Sequence, residues 1–240
     1  MRIFAFLPSV GLLAFVFTGP AAASAQQGDF TISQHGAAVG TATFNVAASP
    51  DGYDSTSVVR VAMHGLDYAL SKNERLSSAN QLEHAELSAT VNGSAVHVTA
   101  APDSAQMLIN ISANGRSSTA RLAAHPADVF LPDFDPGALE TLLALAVNHN
   151  NRGLWAIIPK QAGSVAPVQL ATYPDQQGTL DGKPIVVHHL VATIAGATTD
   201  LFSGPMNQLL QAELPQQGFA LVRKGFVLTP PARPEAPLAE

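Results

Sequence analysis

Apolar and polar residues alternate along most of this chain, and short turn sequences interrupt the alternation, a pattern typical of β-strands joined by hairpins. The clearest turns are Asn92-Gly93 and Asn114-Gly115, because Asn and Gly both tolerate the positive φ of a two-residue hairpin turn. Pairing each hairpin about its turn predicts one apolar face and one polar face. In the first hairpin the apolar face holds Leu87, Ala89, Val91, Val96 and Val98, and the polar face holds His84, Glu86, Ser88, Thr90, His97 and Thr99. In the second, Met107, Ile109 and Ile111 share the apolar face with Ala120 and Leu122.

The same signals predict eleven to thirteen strands between residues 29 and 228. A sheet that is covered on one face favours antiparallel topology. Residues 68–76 are predicted to continue this series, with a short helix or loop as the alternative, because residues 72–75 are all polar.

One helix interrupts the strands, at residues 134–147. Asp135 is placed to cap the first amides, and Pro136 suits the first helical position. Apolar residues cover almost the whole helix surface, which calls for packing on more than one side. The predicted fold is therefore mainly β: one large curved antiparallel sheet, or unclosed β-barrel, with the helix covering its concave face.

The two ends of the chain differ from the region between them. Residues 1–25 combine Arg2, an apolar run and Ala23-Ser24-Ala25, which predicts a secretory signal peptide cleaved after Ala25. The alternative, a membrane anchor, is disfavoured because the apolar run is shorter than a membrane span. Residues 26–228 are predicted to form a single β-rich domain and residues 229–240 a disordered, proline-rich tail. The predicted location is periplasmic or secreted, with no membrane span after cleavage.

Composition narrows the classes of function. A content of 47% hydrophobic and 12% charged residues is typical of a well-buried core. The net charge of −6, without a cluster of Lys and Arg, argues against nucleic acid as a partner. The chain has no cysteine, so disulfides and cysteine-based metal or redox sites are excluded.

No catalytic motif is present: there is no G-x-S-x-G sequence and no glycine-rich phosphate loop. Among the eight histidines, His84 and His97 share a predicted face with Glu86, but three ligands on a polar face are more simply a solvated surface. His188 and His189 are neighbours in a strand and should point to opposite faces. No catalytic residue, metal or cofactor is predicted.

Three features of the chain carry a resemblance to a known group of proteins. An early hairpin at residues 36–41, the apolar helix and a closing segment at residues 207–215 together resemble the lipoprotein-carrier proteins of the LolA/LolB type and uncharacterised periplasmic families thought to share their fold. The resemblance covers residues 29–228. It implies a curved, unclosed barrel whose apolar concave face is covered by helix.

The leading functional hypothesis is therefore a non-enzymatic, exported carrier or binding protein for a lipid or other apolar molecule. A concave sheet beneath a movable helix makes an apolar pocket of the usual kind. The residues predicted to line it are Phe130, Phe134, Leu142, Leu145, Trp155 and Ile157. The alternative for these residues is an ordinary closed core. The alternative function is an envelope scaffold that binds a protein partner through a sheet edge, and a hydrolase with an unrecognised site is the third.

Overall fold

The structure, a computed structural model, describes residues 26–160 and 163–230. Within them the chain forms sixteen strands, one α-helix and a short 3₁₀ turn at Pro205–Asn207. The strands are β1 (Gln26–Gln34), β2 (Ala37–Ser49), β3 (Gly52–Met63), β4 (Leu66–Ser77), β5 (Leu82–Val91), β6 (Ser94–Asp103), β7 (Gln106–Ala113), β8 (Arg116–Ala123), β9 (Asp128–Phe130), β10 (Leu154–Ile158), β11 (Ser164–Leu180), β12 (Lys183–Ile194), β13 (Ala197–Ser203), β14 (Leu209–Leu214), β15 (Phe219–Arg223) and β16 (Phe226–Leu228). Helix α1 is Pro136–Asn148. The predicted signal peptide and residues 231–240 of the predicted tail lie outside the described residues.

All sixteen strands belong to one mostly antiparallel sheet that is not closed. Strands β1 to β8 follow one another as a meander, and β10 to β15 form a second meander in the same way. The pairing of β1 with β15 joins the two meanders. Strand β8 lies at one end of the sheet and β9, parallel to β10, at the other, while β16 pairs with the far end of β11.

The hairpin predictions are confirmed. Asn92 and Gly93 have φ of 49° and 81°, and Asn114 and Gly115 have φ of 51° and 72°, as a turn with two positive φ angles requires. The pairs Ala89–Val96 and Ile109–Ala120 follow the predicted register. Residues 68–76 lie within strand β4, so the helix or loop alternative is wrong there.

The sheet has more strands than the predicted eleven to thirteen. The segment between residues 219 and 228 is two strands, because Gly225 turns the chain with a φ of 80°. Strand β9 has only three residues and pairs in parallel, so no hairpin turn marks it in the sequence. Local turn signals identify most hairpins but miss short strands whose partners are distant.

Helix α1 lies on the inner face of the sheet, as predicted, and packs against β2, β3, β9, β10 and β14. Ten of its thirteen residues are buried, which explains why its apolar surface extends almost all the way round. The core combines buried side chains from both meanders with those of the helix, among them Phe30, Val59, Ile109, Leu145, Leu201 and Leu221. Within the described ranges no helix has the length and apolar character needed to cross a membrane.

Candidate functional site beneath helix α1

Four polar side chains occupy inward positions of β3 and β4, where the neighbouring positions are apolar. Ser57 pairs with Lys72 and Ser55 with Glu74 across the two strands. The residues that follow or precede them on the same face, Val59 and Leu70, belong to the core. All four polar residues are nevertheless buried. The inner face therefore carries one compact polar patch, residues 55, 57, 72 and 74, within an apolar surface.

Asp135, the N-cap of α1, closes this patch from above. Its Oδ2 atom lies 2.8 Å from the Lys72 ammonium, and Glu74 Oε2 lies 3.0 Å from the same nitrogen. Its Oδ1 atom accepts hydrogen bonds from the amides of Gly137 at 2.9 Å and Ala138 at 3.2 Å. One carboxylate thus starts the helix and also binds it to the sheet, which confirms the predicted cap and adds a partner for it.

The side chains of Lys72 and Glu74 are completely shielded from solvent. Burial alone would lower the pKa of Lys72, but Asp135 and then Glu74 raise it above its ordinary value, so Lys72 is an ammonium ion. Burial raises the pKa of Glu74, and the attraction of Lys72 opposes this only in part. The ion pair that attaches α1 to the sheet is therefore formed mainly by Lys72 and Asp135.

Several polar atoms of the patch have no hydrogen-bond partner among the described residues. They are the hydroxyls of Ser55 and Ser57 and the Oε1 atom of Glu74. A Cβ built on Gly137 would lie 2.5 Å from Ser57 Oγ, so this hydroxyl points at the first turn of the helix. Buried polar groups are normally paired, and unpaired ones call for an explanation.

Glu140 makes a second polar attachment, in the second turn of the helix. Its Oε2 atom accepts a hydrogen bond of 2.7 Å from the amide of Leu209, at the start of β14. Burial raises the pKa of Glu140 to about 7, although the Leu209 amide and Arg223 both favour the charged form. Its other oxygen has no partner among the described residues. Glu140 is also one of the residues that line a cavity of about 170 Å³.

The rim of that cavity exposes apolar surface. Val147 near the end of α1 and Met206 in the 3₁₀ turn both line it, and both are exposed large apolar side chains. The cavity lies along the side of the helix, between α1 and the 3₁₀ turn, so it marks the side on which the helix is least covered.

Backbone conformation changes sharply at both ends of α1. Phe134, directly before the cap, has a φ of 56°, a region unfavourable for a bulky side chain. Its ring is held edge-on by Phe219 at 4.8 Å and Tyr68 at 6.1 Å between centroids. After the helix, Asn150 and Asn151 also have positive φ, of 51° and 59°. The helix is thus connected to the sheet by unusual local conformations at each end.

The six residues predicted to line a pocket lie in or beside a packed interior. Phe130, Leu142, Leu145 and Ile157 are fully buried core residues. Phe134 is partly buried against the core, and Trp155 stacks on the ring of His125 at 3.8 Å. None of the six lines the five best-defined cavities of the described residues, which measure about 170 to 620 Å³. An apolar ligand could reach the four fully buried residues only if the elements packed around them moved.

The histidines of the first Asn-Gly hairpin lie on the outer face of the sheet. His97 Nε2 is 3.8 Å from Glu86 Oε1, and His97 Nδ1 is 3.3 Å from Ser88 Oγ, but His84 pairs with Arg75 instead. No group of three metal-ligand side chains comes together among the described residues. Strands β4 and β6 flank β5 on both sides, so the ladder occupies the backbone amides that an oxyanion site would need.

His188 and His189 do point to opposite faces, as predicted. His189 is held by Asp200 at 2.8 Å and stacks on Phe202 with ring centroids 4.6 Å apart. His188 lies 2.9 Å from Asp175 at the surface. Each histidine therefore has a separate carboxylate partner.

The polar patch on β3 and β4 was missed at the level of the sequence, although a signal for it exists. In β4, Leu70, Lys72, Glu74 and Leu76 alternate in period two, so Lys72 and Glu74 fall on the face of two core leucines. The polarity of residues 72–75 leaves a short helix or loop as an alternative to a strand when the sequence is read alone. In a strand of this length, charged residues in register with buried ones indicate an internal site.

A scan against protein-family models finds no match for this chain, and searches of curated proteins and of solved structures find none either.

Proposed function

We propose that this protein is an exported, non-enzymatic binding protein that carries an apolar molecule on the inner face of its sheet, in the place that α1 occupies in the closed state. The observation that carries the proposal is the attachment of α1. An apolar helix fills the interior of an unclosed sheet, and its first two turns are held there by two buried polar contacts.

Such an arrangement differs from an ordinary core. A structural helix needs no buried charge, because replacing a buried ion pair by apolar residues is often neutral or stabilising. A buried ion pair is better suited to defining one bound position, and a competing anion for Lys72 would remove this attachment of the helix. The positive φ angles of Phe134, Asn150 and Asn151 place changes of backbone direction at the ends of α1, where a moving helix needs them.

A disulfide that locks the helix tests the proposal. The chain has no cysteine, so Ser57→Cys with Gly137→Cys introduces the only pair, at positions where Cβ 137 would lie 2.5 Å from the atom that sulfur replaces. We expect the reduced protein to bind a neutral apolar dye such as Nile red. The oxidised protein should bind it at least about tenfold more weakly, because the helix cannot leave.

Reduction and oxidation of the same molecule provide the control, since both states carry the same substitutions. Equal dye binding in the two states would place the ligand elsewhere than under α1. Absence of dye binding in the parent protein and in the reduced variant would remove the carrier proposal altogether.

A second candidate function, a scaffold that binds a protein through a sheet edge, is favoured by strand β8. Its eight residues pair with β7 alone among the described strands, and most of them are exposed. The free side of such a strand presents unpaired amides and carbonyls that can accept another strand.

A photo-crosslinking amino acid at Thr119, on exposed β8, tests this candidate in the native cell. We expect one defined crosslinked product, whose partner is identified by mass spectrometry. The same amino acid at Ser71, an exposed position inside the sheet in β4, is the matched control. If Thr119 and Ser71 give the same products, β8 is not a docking edge.

A further inference from the structure

We propose that the apolar ligand carries a carboxylate headgroup, and that Asp135 occupies the headgroup position while α1 covers the sheet. This inference rests on the proposed function, because it assigns a binding partner to the polar end of the ligand that displaces the helix. The ligand class is a single-chain amphiphile such as a long-chain fatty acid.

The first argument is the likeness between the helix and such a molecule. Asp135 presents a carboxylate at the head of a helix whose following turns bury Ala138, Leu142 and Leu145. The thirteen residues of α1 span about 20 Å. The inner face of the sheet therefore already accommodates a rod with one negative end and an apolar body.

The second argument is the charge that remains when the helix leaves. Lys72 would lose its 2.8 Å contact with Asp135 and keep only Glu74, a carboxyl group that burial makes harder to ionise. An ammonium ion inside an apolar cavity without a full counter-charge is strongly unfavourable. A ligand carboxylate replaces the missing charge and so couples departure of the helix to arrival of the ligand.

The third argument comes from the polar atoms without partners. Asp135 uses Oδ1 to cap the helix, so only Oδ2 is available to the patch. A free carboxylate has no capping role and offers both oxygens. It can accept hydrogen bonds from Lys72 and from the buried hydroxyl of Ser57, which lacks a partner among the described residues.

The patch also discriminates between anions. Lys72 is its single cation, and Glu74 lies 3.0 Å from it. A carboxylate brings one negative charge, which Lys72 neutralises. A phosphate monoester brings a second charge that would have no cation beside Glu74, so the geometry favours the carboxylate.

The test compares displacement of Nile red by hexadecanoate, hexadecanol and hexadecyl phosphate at pH 8. Asp135→Asn keeps the capping oxygen but removes the competing charge. We expect it to strengthen binding of hexadecanoate and of hexadecanol by about the same factor, on the order of tenfold, because it weakens the closed form with which both compounds compete. Asp133→Asn is the matched control, because Asp133 pairs with Lys160 at the surface and not with Lys72.

A neutral patch gives the second measurement, in case Asp135→Asn destabilises the fold by leaving Lys72 short of a partner. In Lys72→Met with Glu74→Gln and Asp135→Asn, hexadecanoate should lose its advantage over hexadecanol.

If the two compounds displace the dye equally from the parent, or if the neutral variant keeps the preference, the headgroup assignment is wrong while the carrier proposal stands. Stronger displacement by hexadecyl phosphate would also overturn it. Failure of every variant and the parent to bind dye contradicts the proposed function itself.

Discussion

Glu140 shows how a single side chain in α1 can make the free energy of unfolding depend on pH. It is a buried carboxyl group whose only hydrogen-bond donor among the described residues is the amide of Leu209. Burial raises its folded-state pKa to about 7, from an ordinary value of 4.5. Between these two pH values the folded protein binds more protons at this site than the unfolded chain does. The contribution of Glu140 to the free energy of unfolding therefore falls as pH rises from 4.5 to 7 and stays constant above.

We expect Glu140→Gln to remove this dependence, because glutamine keeps an oxygen for the Leu209 amide but carries no charge. The free energy of unfolding of the variant minus that of the parent should increase from pH 5 to pH 8. We expect this increase to be on the order of 3 kcal/mol or less. Denaturant unfolding of both proteins at the two pH values measures the difference. Glu86→Gln, on the exposed outer face, is the control and should show no such gain. A gain of equal size in Glu86→Gln would mean that the gain comes from the change in net charge and not from the burial of Glu140.

At the scale of the element, α1 is a helix packed on nearly every side and tied to the sheet near its beginning. Its polar attachments lie at Asp135 and Glu140, whereas its last turn contains exposed Val147 beside the 170 Å³ cavity. The two ends of the helix therefore differ in how firmly they are held. Opening should begin at the C-terminal end, where the fewest buried groups must be separated.

Paired truncations measure how well the helix fills the interior. Leu145 is completely buried, whereas Val147, two residues later, is 55% exposed. We expect Leu145→Ala to lower the free energy of unfolding by about 2–5 kcal/mol and Val147→Ala by less than about 0.5 kcal/mol. Denaturant midpoints of the two variants give both values. A small loss at Leu145 would show that the space around α1 is already poorly filled.

At the scale of the whole molecule, the parts that could be predicted from the sequence are those with local causes. The hairpins followed from Asn-Gly turns, and the helix from Asp135, Pro136 and apolar spacing. The position of Lys72 was not predicted, because a buried charge breaks the pattern by which a strand is recognised. The β1–β15 pairing was not predicted either, because no local sequence signal identifies a partner strand that lies far away along the chain. The pocket residues were chosen as apolar neighbours of the helix, which does not distinguish a core from a cavity.

The pairing of β1 with β15 has a consequence for how the protein folds. The Arg223 guanidinium donates to the Gln27 carbonyl, 196 residues away in the chain. Hairpins within each meander can form as soon as their own residues are available. The β1–β15 pairing can form only when nearly the whole chain is present, and closing so long a loop costs conformational entropy. Until then the edge of β1 that pairs with β15 is free, and the strands of the second meander do not cover the apolar inner face. A chain that ends before β14 would keep that edge and that apolar surface exposed, so we expect it to aggregate rather than form a smaller stable sheet.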